Sequence, residues 1–242
     1  SSIAINTSMS GSGTIKVESV AGFATSGAFQ INSELFTYTG VDAASSPNEF
    51  TGVTRAREGT SAAAHSLSDV ISANWTEIDT GRTNASKYRF ERFNFDGNEK
   101  IVFVDGVNAP VVFNLALSAV DVSASAVVGS KFVVSYKSHM FYAGKSTTPE
   151  LLNFSEGFNE DGFSTGGSLP AGSIRVDDSI TGIKVFRDSL FIFCENRIFK
   201  LTGNTSSDFA IVPVTRNIGC INGDTIQEFG GDLVFLGPDG LR

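Results

Sequence analysis

The sequence is poor in the residues on which chemistry usually depends. Its 242 residues include two histidines, two cysteines, two methionines and one tryptophan. Cys194 and Cys220 do not form a metal or redox spacing. Cys194 sits in the apolar run FIFC and reads as a small core residue. Charged residues make up 18%, below the usual quarter. Positive charge is scarce and scattered: the net charge is −8, and the nearest thing to a basic cluster is the dispersed pairs Arg55/Arg57 and Arg89/Arg92. Nucleic-acid readers carry a basic patch or stripe, so sequence-specific DNA or RNA recognition is excluded as an expectation. No apolar run approaches the roughly 20 residues of a membrane helix, and no signal peptide is visible.

Phenylalanine and glycine are abundant, at 21 and 25 copies, with Ser and Thr scattered throughout. Phe, Val and Ile favour strands; Gly and Ser favour the turns between them. With 41% hydrophobic residues, the chain can bury a substantial core in one large domain, or in a small one plus a large one. An all-β protein is expected.

Segment 1–72 reads as a small β-module. TIKVESV (14–20) alternates, with Ile15, Val17 and Val20 facing in. SGAFQINSELFTYTG (26–40) reads as a hairpin turning at Asn32-Ser33, and EFTGVTRAREGTSAAAH (49–65) as a strand followed by a small-residue loop. Segment 73–87 is polar and turn-rich, a connector. Segment 88–242 repeats. KIVFVDG (100–106), SHMFYAG (138–144), LFIFCEN (190–196) and DLVFLGP (232–238) share a short apolar strand, a Phe and a turn. Phe103, Phe141, Phe193 and Phe235 are spaced by 38, 52 and 42 residues, with an insertion (155–172) in the second interval. Strands flank each, and about 40 residues per unit is the spacing of a β-propeller blade. No such unit can bury its apolar face alone, so successive units must stack. The expectation is about four blades of antiparallel strands, the last incomplete. The four phenylalanines are assigned to the structural core, in equivalent positions of successive blades. Asp96-Gly97, Asp105-Gly106, Gly230-Gly231 and Pro238-Asp239-Gly240 are the turn signals. Stretch 115–128 is expected to be extended rather than helical, on its β-branched and serine content.

Two stretches resemble tailed-bacteriophage structural proteins. Phe36–Gly40, Phe50–Arg55, Glu58–Thr60 and Ala62–His65 match a small β-module with an I-x-Y-T-G strand, an F-T-G-x-x-R-G-x-x-G-T turn and a following A-A-A-H. Ala56 departs from it, standing where that module usually has Gly. Residues 197–242, from RIFKLTGNTSSDF to GGDLVFLGPDGLR, are similar to propeller-type tail proteins, including the tail nozzle proteins of short-tailed phages. The resemblance implies a virion tail component, a nozzle or tube subunit in a ring through which DNA passes. It implies a homo-oligomer of cyclic symmetry, contacts with other tail or head–tail connector proteins, and only transient, non-specific contact with genome DNA. An acidic surface suits such passage, because basic groups exchange counterions and hold phosphates.

Candidate chemistry is thin, and no catalytic, metal or cofactor residue is assigned. His65 lies in a small-residue loop and His139 opens a strand; no G-x-S-x-G elbow accompanies either. Glu160-Asp161 and Asp177-Asp178 are read as solvated loop carboxylates; neighbours on one strand point to opposite faces and cannot share a site unless the strand breaks there. NEDGFSTGGS (159–168) lacks calcium-loop spacing and is read as an exposed insertion. SGSGTIK (10–16) lacks phosphate-loop spacing. The five sequons, at Asn6, Asn74, Asn84, Asn153 and Asn204, are read as coincidence. A structural, non-enzymatic tail protein is therefore expected. The alternatives are a propeller-based receptor-binding adhesin, marked by an exposed aromatic patch at a propeller mouth, and a tail-associated polysaccharide hydrolase, marked by two carboxylates meeting in one cleft. Because the last unit is cut short, further blades are expected beyond Arg242, or else a strand donated by a partner.

Overall fold

The computed structural model describes residues 3–4, 13–66, 69–73, 79, 81–83, 87–114 and 118–242. The sequons at Asn6, Asn74 and Asn84, and residues 10–12 and 115–117 of the stretches discussed above, lie outside them. The chain divides into two compact units, Ser1–Thr80 and Gly81–Arg242, at a point inside the polar 73–87 segment. The fold is all-β. Its helical content among the described residues is one 3-10 turn, Gly223–Thr225.

The first unit contains β1 (Ile3–Ala4), β2 (Gly13–Val17), β3 (Gly27–Ile31), β4 (Glu34–Tyr38), β5 (Gly40–Asp42), β6 (Asn48–Val53) and β7 (Val70–Ala73). Two sheets form, in the orders β1-β7-β3-β4 and β2-β6-β5. The alternation read in TIKVESV places Ile15 and Val17 at zero exposure, and Val20 is also buried. They join Phe29, Ile31, Phe36, Tyr38, Phe50, Val53 and Ile71 in one core shared by both sheets. The hairpin β3–β4 turns at Asn32-Ser33, with Asn32 in the left-handed region that Asn tolerates.

The second unit is a series of propeller-like blades. Three consecutive four-stranded antiparallel meanders form. Blade one is β8 (Arg89–Phe93), β9 (Lys100–Val104), β10 (Val111–Asn114) and β11 (Ala119–Asp121). Blade two is β12 (Phe132–Tyr136), β13 (His139–Ala143), β14 (Leu151–Phe154) and β15 (Gly172–Arg175). Blade three is β16 (Ile180–Phe186), β17 (Ser189–Cys194), β18 (Ile198–Thr202) and β19 (Ala210–Thr215). A fourth unit holds two short hairpins, β20 (Gln227–Phe229) with β21 (Asp232–Val234), and β22 (Leu236–Gly237) with β23 (Gly240–Leu241). First strands adjoin: β12 contacts both β8 and β16, and β16 contacts the Gly223–Thr225 turn.

Between blades one and two lie Val102, Val104, Val133, Met140 and Tyr142. Between blades two and three lie Val134, Phe141, Leu190, Ile192 and Cys194. Between blade three and the fourth unit lie Phe193, Ile198, Cys220, Ile226 and Phe235. Side chains alternate across a strand, so within each strand successive residues go to the two neighbouring blades in turn. Backbones also close up: a Cβ on Gly182 would fall 2.8 Å from the Cα of Gly223, so this junction takes glycine only.

The four phenylalanines are buried, and three lie in second strands, with Phe235 directly after β21. Their positions are not equivalent. Phe141 and Phe193 point forward, to the next blade. Phe235 points back, against Phe193 at 5.2 Å between ring centroids. Phe103 also points back, and is covered by Tyr88, Phe90 and Phe113 of its own blade and by the Arg82 guanidinium. The facing follows the offset of each Phe from the pair that closes its hairpin: Phe141 and Phe193 lie an even number of residues after His139 and Ser189, whereas Phe103 and Phe235 lie three after Lys100 and Asp232, and an odd offset reverses the face.

The 159–168 stretch is exposed at Asp161 and over 164–168, as expected, but Glu160 and Phe163 turn inward. Glu160 is buried and accepts from Lys100 Nζ at 2.7 Å, and Phe163 packs against the blade one–two core. The insertion thus fastens blade two to blade one. Asn153 is likewise buried, donating to the Ala126 carbonyl, so that sequon is enclosed.

Phe193→Ala and Phe141→Ala should each destabilise the second unit by about 3–5 kcal/mol in urea unfolding. Phe90→Ala, at a side chain that is 65% exposed, should change stability by no more than about 0.5 kcal/mol.

Candidate functional site

Two constellations of polar groups stand out, one in each unit. In the first unit, the loop after β6 carries residues 54–65 of the motif described above and meets β4 at the Thr37–Thr54 bridge and through the Arg57 N–H, which donates to the Leu35 carbonyl at 3.0 Å. It is organised around one carboxylate. Glu34 opens β4 with zero exposure. Arg55 donates to both its oxygens, Nε to Oε1 at 2.8 Å and a terminal nitrogen to Oε2 at 2.7 Å. The Ala56 and Ala63 backbone N–H groups donate at 3.2 and 2.8 Å, and His65 Nε2 donates at 2.7 Å. Arg55 lies over the Phe36 ring, and the His65 ring meets it edge-on. His65 Nδ1 faces Asp69 Oδ2 at 3.5 Å. Burial pushes the Glu34 carboxyl up, but the bonds from Arg55, Ala63 and His65 outweigh it and hold the group at about 2.

Other motif residues complete this arrangement. The Thr60 hydroxyl accepts from the Leu35 N–H at 3.1 Å and donates to the Arg57 carbonyl at 2.8 Å. Gly52 has φ of +62°, and a Cβ there would meet Thr39 Oγ1 at 1.9 Å. Ala56, the departure from the motif, has φ of +53°, a left-handed conformation that penalises any residue with a Cβ. Sequence reading singled out Arg55 and His65 within the motif but missed Glu34. The signal was an acidic residue in the turn before an apolar strand, with a motif Arg and His downstream.

In the second unit a cavity of about 590 Å³ lies where the first strands converge. It is lined by β8, β12 and β16 with Gly223, Asp224, Ile226 and Gln227, the position of a propeller axis. An ion pair spans it. Arg89 Nε and a terminal nitrogen meet the two Asp224 oxygens at 3.0 Å each, and Lys87 also donates to Asp224. The Arg89 guanidinium stacks over Phe132 at 4.7 Å. Burial raises the Asp224 carboxyl, and the hydrogen bonds from Lys87 and Arg89 more than offset that, so it sits below the ordinary range. Glu91 Oε1 accepts from the Ser135 N–H and hydroxyl at 2.9 and 2.6 Å. Glu91 and Asp224 therefore border one cavity, each engaged by its own donors. Tyr88 and Phe90 border it too, 42% and 65% exposed.

The other sequence candidates are held in structural contacts. His139 is fully buried, its Nδ1 2.6 Å from the Ser155 carbonyl and its ring among Phe141, Phe154 and Phe209. At Asp177-Asp178 the strand does break, and both carboxylates serve the β17–β18 turn. Asp177 pairs with Arg197 at 2.5 Å, and Asp178 accepts from the Asn196 N–H at 2.7 Å. Burial, reinforced by Asp178 and Asp177, pushes the Cys194 thiol up to about 12.

Glu34→Gln should cost the first unit about 3–5 kcal/mol, because it removes the buried carboxylate charge that Arg55 and His65 engage. The wild-type carboxyl is more acidic folded than unfolded. Its contribution is therefore full above the unfolded value of 4.5 and is lost as pH falls towards about 2. Melting temperature measured across that window should drop in the wild type and lose this component in Glu34→Gln. Ala56→Gly should stabilise the same unit by about 1 kcal/mol, by relieving the left-handed strain.

Neither a protein-family model nor a curated protein matches the chain. Among solved structures, the chain is similar to BBS1N, crystallised in complex with ARL6DN and soaked with mercury, at 8% identity and a TM-score of 0.40, covering 99% of this chain and 75% of that one.

Proposed function

We propose that the chain is a structural, non-enzymatic subunit of a tailed-phage tail, in which a small β-module and a blade series present surfaces for ring assembly around passing DNA. The observation that carries this reading is the Glu34 clamp. Arg55, Ala63 and His65 belong to the stretch that resembles the phage module, and they hold a buried carboxylate rather than line an open cleft. The motif is thus read as the signature of a folding unit whose function lies in its outer surfaces. The net charge of −8 supports contact with DNA that does not arrest it. The subunit is placed in a cyclic homo-oligomer, beside other tail or connector proteins, in the virion.

A second reading is favoured by one feature. Tyr88 and Phe90 are exposed aromatics bordering the axial cavity, the kind of surface a receptor-binding adhesin presents to a glycan. On that reading Tyr88→Ala and Phe90→Ala would abolish binding to host-cell envelopes.

The test is location. Decoration of purified particles with an antibody fragment raised against the chain, imaged by electron microscopy, should place it in the tail as a symmetric ring. Absence of the label from particles would contradict the structural reading. The isolated chain should also fail to retard duplex DNA at low salt; retention comparable to a basic protein would count against passage.

A further inference from the structure

We propose that a cavity at the turn edge of blade three binds a small organic carboxylate of the sugar-acid class. The inference rests on the second and third blades and their linkers alone, and is independent of the tail assignment. The cavity, of about 420 Å³, is lined by Asp177, Arg197, Phe199, Pro213, Arg216 and Asn217. That volume lies within the range of small-molecule sites. Asp177 comes from the linker that follows blade two, and Arg197 from the β17–β18 turn. Arg216 and Asn217 come from the linker that follows β19.

Register explains why these side chains meet. Phe199 pairs directly with Pro213 across β18 and β19, so the two share a face. Arg197 stands two residues before Phe199 and falls on that face as well. Regular pairing from Pro213 onward would send Arg216 to the opposite face. A β-bulge prevents this: Ile198 pairs with Thr215, and Val214 is the extra residue. The register carried one step further sets Arg216 against Arg197. The Thr215 hydroxyl then donates to the Ile218 carbonyl and closes the turn that carries Arg216 and Asn217.

Like charges opposed across two strands repel, and the arrangement costs stability. One carboxylate serves both guanidinium groups. Asp177 pairs with Arg197 at 2.5 Å and is itself 72% exposed. The neighbouring Asp178 accepts from the Asn196 N–H at 2.7 Å and does not line the cavity. Arg216 has neither an ion pair nor a side-chain hydrogen bond among the described residues. Two arginines against one aspartate leave one positive charge in this cavity, on a chain whose net charge is −8.

A ligand carboxylate gives Arg216 what Asp177 gives Arg197. A guanidinium donates two parallel hydrogen bonds to a planar carboxylate, and its charge offsets the repulsion between the two arginines. The rest of the lining selects the body that carries the acid. The Asn217 amide has both donors and an acceptor, which match hydroxyl groups. Pro213 and Phe199 form an apolar wall against which the C–H face of a sugar ring packs. Inorganic phosphate could pair with Arg216 but would use neither the wall nor the amide. An acid on a hydroxylated ring uses all three.

The test is a chemical-shift titration of the isotope-labelled whole chain with D-glucuronate, alongside D-glucose and inorganic phosphate. Glucuronate should move the amide signals of Arg197, Arg216 and Asn217 saturably. Arg216→Gln should raise its Kd about 10- to 100-fold, the loss of one charge-assisted pair. Asp177→Asn should lower the Kd, because it frees the second guanidinium for the ligand. An ion pair with a purely structural role would not produce that gain. Arg216 and Asp177 are both exposed, so the variants should keep the wild-type melting temperature. If Arg216→Gln does not, Arg216→Lys, which keeps the charge and loses the fork, replaces it and should also raise the Kd. No saturable shift, or shifts centred on other residues, would overturn the proposal. Glucose binding as tightly as glucuronate would overturn the role of the carboxylate. Phosphate binding as tightly would reduce the site to a patch for any anion and overturn the ligand class. A Kd that Arg216→Gln leaves unchanged would overturn the assignment of Arg216.

Discussion

A four-stranded sheet that is apolar on both faces cannot stand alone in water, and the second unit is built on that constraint. In β13 every residue is buried, and in β17 all but one are. Such strands need a sheet on each side. Everything else in the unit accommodates this stacking. Gly182 and Gly223 let backbones approach where the third blade meets the fourth unit. The 155–172 insertion folds back so that Glu160 reaches Lys100 across the first junction. Arg89 and Asp224 tie the first blade to the start of the fourth unit across the axis.

The first unit solves a different problem. A run of small residues from Gly59 to Ala64 offers little apolar surface and no strand pairing, so burial cannot position it. A single buried carboxylate does so instead, by accepting from one guanidinium, one imidazole and two backbone N–H groups. Charge-assisted bonds of this kind are directional where apolar contacts are not. The geometry of the loop is therefore specified even though its side chains pack weakly.

Strand content, the β3–β4 hairpin and the blade repeat were legible in the sequence, because period-two alternation and Gly-containing turns are local signals. What escaped was non-local or chemically atypical. The hairpins at Lys137-Ser138 and Arg187-Asp188 turn with left-handed φ angles and without glycine, so no turn signal marked them. The outer strands β15 and β19 are largely exposed and lack apolar alternation; β19 carries Pro213, tolerated on an edge strand that need not donate on its outer side. The phenylalanine repeat located the second strands but not their facing, which depends on how many residues separate each Phe from the pair that closes its hairpin. The Glu34 clamp joins residues 21 to 31 positions apart, a spacing set by tertiary structure and invisible to periodicity.

Native-state hydrogen exchange resolved strand by strand tests the stacking account most directly. If facing blades hold the second unit together, the N–H groups of β13 and β17 should exchange only through global unfolding. Those of β11, an outer strand, and of β20 and β23, in two-stranded hairpins, should exchange through local opening many times faster. Uniform protection across all blades, or β13 exchanging as fast as the outer strands β15 and β19, would contradict it.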